Sequence, residues 1–580
     1  MTGMVGRFGR IFLRYGCKTL LLLLAVSVIA FILVSLSPVD PVQQYVLGAG
    51  GVSAEQRAQL EEYWGVSDPP VERYITWLKA LVRGDFGQSL LYRRPVLEII
   101  GERFVNSLAL MLCAWLFSGL IGFGLGCAMG MTRDRLPDRI LKKLCYILSS
   151  VPTFWLGLVF LLVFSVGLGW FPLGFSSPIG VLNREVTLWQ RLHHLVLPAL
   201  TLSLMSFANI ALHTRQKLVD VLESEYVLFA RARGERAGTI LRRHGLRNIA
   251  LPALTLQFAS FAELFGGSVL AETVFSYPGL GSAVAAAGLN SAVWRGGSSN
   301  PGGDAMSLRC NRRTRLVLFT GLMLLVLLAA FLAGRLIPDS AVAADFTRVK
   351  EPPSWSHPFG TDHLGRDLLL RTLKGLSTSL TIGIVASLIS AIAAVLIGIA
   401  AATGSRAVDG FITWLIDLVM GVPHTVLVIL ISFACGRGLK GLLIGVAATH
   451  WTSLARLIRG EVLQLRSQQY VAVSRRLGKS SGWILLHHLL PHLIPQFLVG
   501  LILMLPHAIL HEASISFLGY GLPPEQPAIG IILAESMKYL SAGMWWPAVF
   551  PGLLLVATVL LIDRLGETLR AILDPYSAQE

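Results

Sequence analysis

Two stretches decide the fold: Tyr226-Val-Leu-Phe-Ala230-Arg231-Ala232-Arg-Gly234, ten residues before His244, and Tyr470-Val-Ala-Val-Ser474-Arg475-Arg476-Leu-Gly478, ten residues before His488. The Tyr, the Gly and the His each recur 244 residues on. Past the next apolar run, Glu272-x-x-x-Ser276-Tyr277-x-Gly279-x-Gly281 returns as Glu512-x-x-x-Ser516-Phe517-x-Gly519-x-Gly521. Upstream, Val151-Pro152 returns as Val422-Pro423 at an offset of 271, and Ser107-Leu108 as Ser379-Leu380 at 272. A repeat at a fixed offset outweighs any single motif, because one structural unit must then serve twice. The fall of the offset from 272 to 244 places an insertion of about 28 residues in the first copy, near 167–195, which shrinks to a few residues around Gly436 in the second.

The solvent of this repeat is lipid. Of 580 residues, 54% are hydrophobic and 14% charged, and the mean hydropathy is +0.64. A water-soluble chain has about 25% charged residues, so the polar surface here is too small to cover it. A helix needs about 20 apolar residues to cross about 30 Å of hydrocarbon. Eleven stretches qualify, near 20–37, 107–131, 141–168, 195–213 and 250–272, then near 316–337, 377–402, 410–434, 441–457, 493–512 and 544–563. The fold class expected is therefore an all-α integral membrane protein of two parallel halves, 1–305 and 306–580. Parallel halves are related by an axis along the membrane normal, with a path between them.

A net charge of +15 and a pI of about 9.8 raise nucleic-acid binding. The Lys and Arg residues, however, lie between the apolar runs, as in loops on the cytoplasmic side of a membrane. Arg7, Arg10, Arg14 and Lys18 precede the first span, and the segments 133–143, 215–247 and 456–479 are basic. This predicts an inner-membrane, multi-pass protein with both termini in the cytoplasm, residues 38–106 outside, and no nucleic-acid partner. The first span ends at Ser35-Leu36-Ser37-Pro38 without a small-x-small cleavage site and reads as retained. The six cysteines form no CxxC, so neither a disulfide framework nor a zinc site is expected.

Each repeated loop, 215–249 and 458–490, has helical spacing broken by Gly234 or Gly478. A short helix lying on the membrane surface and ended by a glycine turn makes a rigid lever for a soluble partner. These residues resemble the cytoplasmic loop of ABC-importer permeases, in which a coupling helix docks on an ATP-hydrolysing subunit. Gly84-Asp85-Phe86-Gly87-Gln88-Ser89, Arg94-Pro95-Val96, Glu102-Arg103 and Glu272 to Gly281 resemble the first permease of the dipeptide/oligopeptide/nickel family. His357-Pro-Phe-Gly-Thr-Asp362, Gly365-Arg366-Asp367, Ser516-Phe-Leu-Gly519 and Asp574-Pro575 resemble the second. The resemblance implies two permeases fused in one chain, with separate ABC ATPase subunits carrying ATP and Mg, and an extracytoplasmic substrate-binding protein. It implies coupling-loop roles for Tyr226, Ala230, Ala232, Gly234 and His244, and for Tyr470, Ser474, Gly478 and His488. The second copy departs from the pattern in having Arg476 opposite Ala232, and His492 where the family usually has Asn.

No catalytic residue and no resident cofactor or metal is expected. Gly478-Lys479-Ser480 lacks the first glycine of a phosphate-binding loop, since position 473 is Val. His507 and His511, four apart on one helical face with Glu512 adjacent, form a possible contact for a passing transition metal, weighed against incidental lining. Glu263, Glu272, His507, His511 and Glu512 are the candidate residues of the translocation path, as ionisable groups within spans. His487, His488 and His492 sit in or just beyond the repeated loop and are expected to be structural rather than metal ligands, and Asp417 is expected paired or solvated near the inner boundary.

The first copy has five candidate spans and the second six. After Gly281, residues 282–294 form a weakly apolar run too short to cross. A flexible linker, Arg295 to Asp304, and a basic cluster at Arg309, Arg312, Arg313 and Arg315 follow. Five crossings would invert the second half, unless residues 282–294 and the linker return through the membrane shielded by protein. The function expected is the permease of an ATP-driven importer for peptides or nickel and metal chelates. The alternatives are an ion-coupled carrier or channel, or a truncated, non-transporting fusion.

Overall fold

A computed structural model describes residues 2–35, 69–89, 92, 94–181, 185–289, 312–436 and 438–573. Asp574-Pro575, Cys310, the linker 295–304 and residues 290–294 lie outside them. Among the described residues the chain is helical, with only two isolated β-bridges, Gln88 to Pro95 and Thr361 to Asp367. In the first half, α1 (Thr2–Ser35) and α2 (Pro70–Val82) precede the long α3 (Val96–Met131). Helix α4 (Leu136–Ser149) turns by 110° into α5 (Thr153–Phe160), which continues as a wider turn over Leu161–Gly167. Then come α6 (Leu188–Leu222), α7 (Glu225–Ala232), α8 (Ala237–Ile240), α9 (Leu246–Ala259), α10 (Phe261–Val274) and α11 (Leu280–Leu289).

The second half repeats this plan. Helix α12 (Arg312–Leu336) leads to α13 (Leu368–Thr403), and α14 (Arg406–Met420) bends by 96° into α15 (His424–Ala434). Helix α16 (Leu439–Arg466), α17 (Gln469–Arg476), α18 (Ser481–Ile484), α19 (Leu490–Phe517), α20 (Ile529–Met537) and α21 (Trp546–Leu573) complete it. Six of the described helices are long and apolar enough to span alone, and counting each bent pair as one span gives eleven, matching the eleven stretches expected. Pro152 and Pro423 cause the two sharp bends. Each lacks an N–H, sits extended at ψ 132° or 119° just before the next helix, and bars its neighbour from helical geometry.

The repeat holds at atomic scale. Helix α3 lies against α6, and a Cβ on Gly126 would stand 2.7 Å from the Ala211 carbonyl oxygen; on Gly398 of α13 it would stand 2.8 Å from the Ala455 carbonyl oxygen of α16. Gly126 and Gly398 are 272 apart, Ala211 and Ala455 are 244 apart, and each closes the same backbone contact. Small residues allow this approach where lipid supplies no hydrophobic push between helices. The offset difference is also visible: residues 168–181 and 185–187 are irregular, and between α15 and α16 only residues 435–438 intervene.

One hydrophobic core joins the halves. Phe154, Trp155 and Leu158 pack with Phe517, Leu555 and Val559, and the Phe154 and Phe517 rings lie 4.7 Å apart. The Trp155 indole N–H donates to the Ala548 carbonyl at 2.9 Å. Helix α5 and helix α21 run in opposite directions: the turn after α5 meets Leu540–Ala542, whereas Ser150, just before α5, donates to Asp563 at 3.2 Å. Along α6, Asp138 stands at Arg215 and Gly157 at Thr201, so α5 begins nearer the loop after α6. Along α19, Gly566 stands at Ile502 and Leu503 while Trp546 packs with Ile532 of the helix beside Ala513, so α21 ends nearer the loop before α19. Both repeated loops thus face the same side, and the inverted second half is not the arrangement found.

The sixth span of the first half has no counterpart among the described residues. Helix α11 has 10 residues, about 15 Å, half the hydrocarbon thickness. Residues 282–289 of the run weighed for a return through the membrane are this helix, and the rest of that passage lies outside the described residues. Helix α1 instead leans on the second half. Val26 packs with Leu418, Val422 and Leu427, and Lys18 pairs with Asp417 at 2.9 Å. Asp417 also receives Arg456 at 2.9 Å, so it is paired as expected.

Candidate functional site

The two loops have one construction. In the first, α7 ends where Gly234 adopts φ +81°, and Gly234 and Glu235 N–H groups donate back to Arg231 and Ala230 carbonyls. In the second, α17 ends at Gly478 with φ +79°, and Gly478 and Lys479 donate to Arg475 and Ser474. The left-handed backbone suits glycine and closes the helix with its last carbonyls satisfied. A four-residue helix and a five-residue wide turn follow in each, Leu241–Gly245 and Leu485–Leu489, carrying His244 and His488.

Those histidines brace the short helices. The Tyr226 and His244 rings are 5.9 Å apart, and the Asn248 amide donates to the Tyr226 hydroxyl at 3.1 Å. The Tyr470 and His488 rings are 5.3 Å apart, Ser474 Oγ lies 2.8 Å from His488 Nε2, and His492 stacks on Tyr470 at 6.2 Å. His492, in the place of the amide-bearing Asn248, thus also meets the tyrosine, by its ring. His487 stacks on Trp483 at 4.3 Å. These three histidines are engaged within the loop, in keeping with their structural reading.

Each short helix buries one side and exposes the other. Val227 and Ala230 pack with Ile240, and Val471 sits in the second half's core. Leu228 and Phe229 are 53% and 66% exposed, Val473 and Leu477 54% and 74%. Ala232 and Arg476 are both exposed, so the larger side chain meets no obstacle. An exposed apolar patch at the end of a rigid helix marks an interaction surface.

A second repeated feature was missed in the sequence. Arg215 of α6 grips Asp138 of α4 through two hydrogen bonds of 2.6 Å, and Arg459 of α16 grips Asp409 of α14 through bonds of 2.5 and 2.7 Å. Asp138 and Asp409 are 271 apart, Arg215 and Arg459 244 apart, so the two known offsets find the pair at once. Each pair ties the helix before the sharp bend, α4 or α14, to the helix that enters the loop, α6 or α16.

The path candidates separate. Glu272 is fully buried and accepts from Ser107 Oγ and the Ser282 N–H, both at 2.6 Å; a Cβ on Gly279 would fall 2.1 Å from its carboxyl carbon. It pins the glycine loop Tyr277–Ser282 to α3. Glu512 is also fully buried and accepts from Ser516 at 2.8 Å. Both carboxyls are buried in the conformation described, and Glu512 Oε2 has no hydrogen-bond partner. Glu263 is half-buried where α9 meets α10 at a 55° bend. His507 is exposed, and His511 turns to His424 and His450, with ring centroids at 4.4 and 5.2 Å. His424 and His450 stand 26 residues apart on different helices, with no local spacing to announce them.

At the opposite face, the segment His357 to Asp367 folds around charge. Asp362 accepts from Arg366 and Arg371, which also reach Glu535, at 2.6 to 3.2 Å. Asp362, His363 and Glu535 have metal-like proximity, but two guanidinium groups already balance the two carboxylates. The described cysteines are free.

Two segments, 121–344 and 394–575, match the family described as binding-protein-dependent transport system inner membrane component. The chain is 35% identical over 261 residues to the oligopeptide transport system permease protein AppB of Bacillus subtilis, covering 45% of this chain and 81% of that protein. It is 38% identical over 259 residues to a putative peptide transport system permease protein of Brucella abortus, 45% of this chain and 87% of the relative. It is 35% identical over 274 residues to the glutathione transport system permease protein GsiC of Salmonella typhimurium, 46% of this chain and 84% of the relative.

Proposed function

Because the chain belongs to the family of binding-protein-dependent transport system inner membrane components and carries its domain twice, we propose that it supplies both permease halves, 1–305 and 306–580, of one ATP-driven importer. One observation supports this above the others: two loops of the same construction, each presenting an exposed apolar patch, on one side of a shared core. Separate ATPase subunits grip these loops. When they close, the two loops are drawn together, and α6 and α16 carry that movement into the core through the Asp138–Arg215 and Asp409–Arg459 pairs. Phe154, Trp155 and Phe517 close the way between the halves in the conformation described. An external binding protein delivers the cargo, which we take to be a short peptide because the relatives are oligopeptide, peptide and glutathione permeases. The protein sits in the cytoplasmic membrane with both loops inside, and hydrolyses nothing itself.

The test is reconstitution in proteoliposomes with partner ATPases and binding protein. ATP-dependent peptide uptake, lost when the ATPase is omitted, is expected. Uptake driven by an ion gradient without ATP would reassign the chain as a carrier. The short α11 favours a second reading, a fusion that no longer transports; failure to bind any ATPase would establish that one.

A further inference from the structure

His424, His450 and His511 come from three helices of the second half. His424 opens α15 directly after the Pro423 bend, His450 lies in the middle of α16, and His511 lies two turns before the end of α19. By a rise of 1.5 Å per residue, His424 and His450 are each about 16 Å from the α15–α16 turn, well inside the hydrocarbon depth. One ring nitrogen from each of the three falls within 4.8 Å of the others. The His424 and His450 rings are 4.2 Å apart, edge to face, with His424 Nε2 at 3.2 Å from His450 Nδ1.

The hydrogen bonds orient the rings. His450 Nδ1 lies 2.8 Å from the Val446 carbonyl oxygen, an acceptor only, so Nδ1 carries the proton and Nε2 carries a lone pair. That Nε2 is buried and has no hydrogen-bond partner. A ring whose N–H is held by a backbone carbonyl and whose other nitrogen is buried and unpaired has the tautomer of a metal ligand. Thr449 Oγ1 lies 3.3 Å from both His424 Nε2 and His450 Nδ1 and steadies the pair. The acidic neighbour, Glu512, bonds to Ser516 and not to this cluster.

From this geometry we propose that His424, His450 and His511 form a binding site for one late first-row divalent transition ion, of the nickel, copper and zinc class. Three neutral imidazoles suit these borderline ions and not magnesium or calcium, which take oxygen donors. Nitrogens bound at about 2.0–2.1 Å around a tetrahedral ion lie roughly 3.3 Å apart, so contraction of the present spacing by an ångström or so completes the set. An ion there ties α15, α16 and α19 together beside α10 and α11 of the first half, against which α15 packs. It holds one arrangement of the helices that move in transport. The site does not depend on the cargo being a peptide.

The test uses the full-length chain in nanodiscs, purified without a histidine tag, and Ni2+ or Co2+ alone as the probe. Equilibrium dialysis is expected to give one tightly held Ni2+ per chain, lost by at least tenfold in affinity in His450→Ala and in His511→Ala. His487→Ala with His492→Ala should keep it, and His450→Cys should restore Co2+ binding with a thiolate charge-transfer band. X-ray absorption of the Ni2+-loaded natural chain, which needs no variant to fold, should count three imidazoles. Absence of a bound ion, binding unchanged by His450→Ala and His511→Ala, or a spectrum without imidazole ligands would each overturn the proposal.

Discussion

Consider Asp138→Ala and its counterpart Asp409→Ala. Both remove the carboxylate from a two-bond grip on an arginine, at nearly equal distances, yet the surroundings differ. The Asp138 and Arg215 side chains are 2% and 11% exposed, and Asp138 also accepts the Asp134 N–H at 2.9 Å. The Asp409 and Arg459 side chains are 33% and 29% exposed. Removing one member of a buried pair leaves an uncompensated charge and costs about 3–5 kcal/mol. Arg215 stands near the inner end of α6, where its freed guanidinium can turn toward water, so the lower end, about 3 kcal/mol, applies. The half-buried pair, more open to solvent screening, is worth roughly 1 kcal/mol. The assay is unfolding in mixed micelles titrated with SDS, run as a double-mutant cycle with Arg215→Ala and with Arg459→Ala. A coupling energy at least twice as large for the first pair is expected. Equal losses, or a larger loss at Asp409, would refute the reasoning that burial sets the difference.

Gly234→Val with Gly478→Val should abolish uptake while membrane insertion stays normal; a Cβ at either glycine meets open space, so the cost is backbone strain of roughly 1–2 kcal/mol at each turn. The matching Asn variants should retain part of the uptake, because Asn tolerates this geometry; normal transport in the valine pair would remove the lever from the mechanism. Arg371→Met should cost about 3–5 kcal/mol, read by the same SDS titration, since it strips a 3% exposed guanidinium from Asp362 and Glu535. In a chain whose other cysteines are replaced, Cys310 should resist an impermeant thiol reagent applied from outside, and ready labelling would place the junction between the halves on the wrong side.

Much of the fold was legible because its signals are physical and long. Apolar runs, basic loops and a doubled pattern at offsets of 244 and 272 residues located eleven spans and two parallel halves. The 28-residue difference marked the outer segment, whereas the bends at Pro152 and Pro423 fall inside stretches read as single spans, 141–168 and 410–434. The site was legible in part. Gly234 and Gly478, read as helix terminators, are in left-handed geometry, and Tyr226 and Tyr470 do meet His244 and His488. The Asp–Arg grips escaped because their partners lie far apart in the chain, although the offsets alone would have exposed them. The carboxylates Glu272 and Glu512 were read from charge within a span, and their hydrogen bonds to Ser107, Ser282 and Ser516 appear only in the fold. His424 and His450 carried no periodic signal, since three helices bring them to His511 only in the folded chain.

The central claim is that both loops present their apolar patches to the same cytoplasmic side. In a cysteine-free chain, one cysteine is placed at Leu228 and, separately, one at Val473, and each is exposed to a membrane-impermeant maleimide in inside-out and right-side-out vesicles. Both positions should label only in inside-out vesicles, and both should be shielded when the ATPase subunits are added. Labelling of the two positions from opposite sides would contradict the account outright.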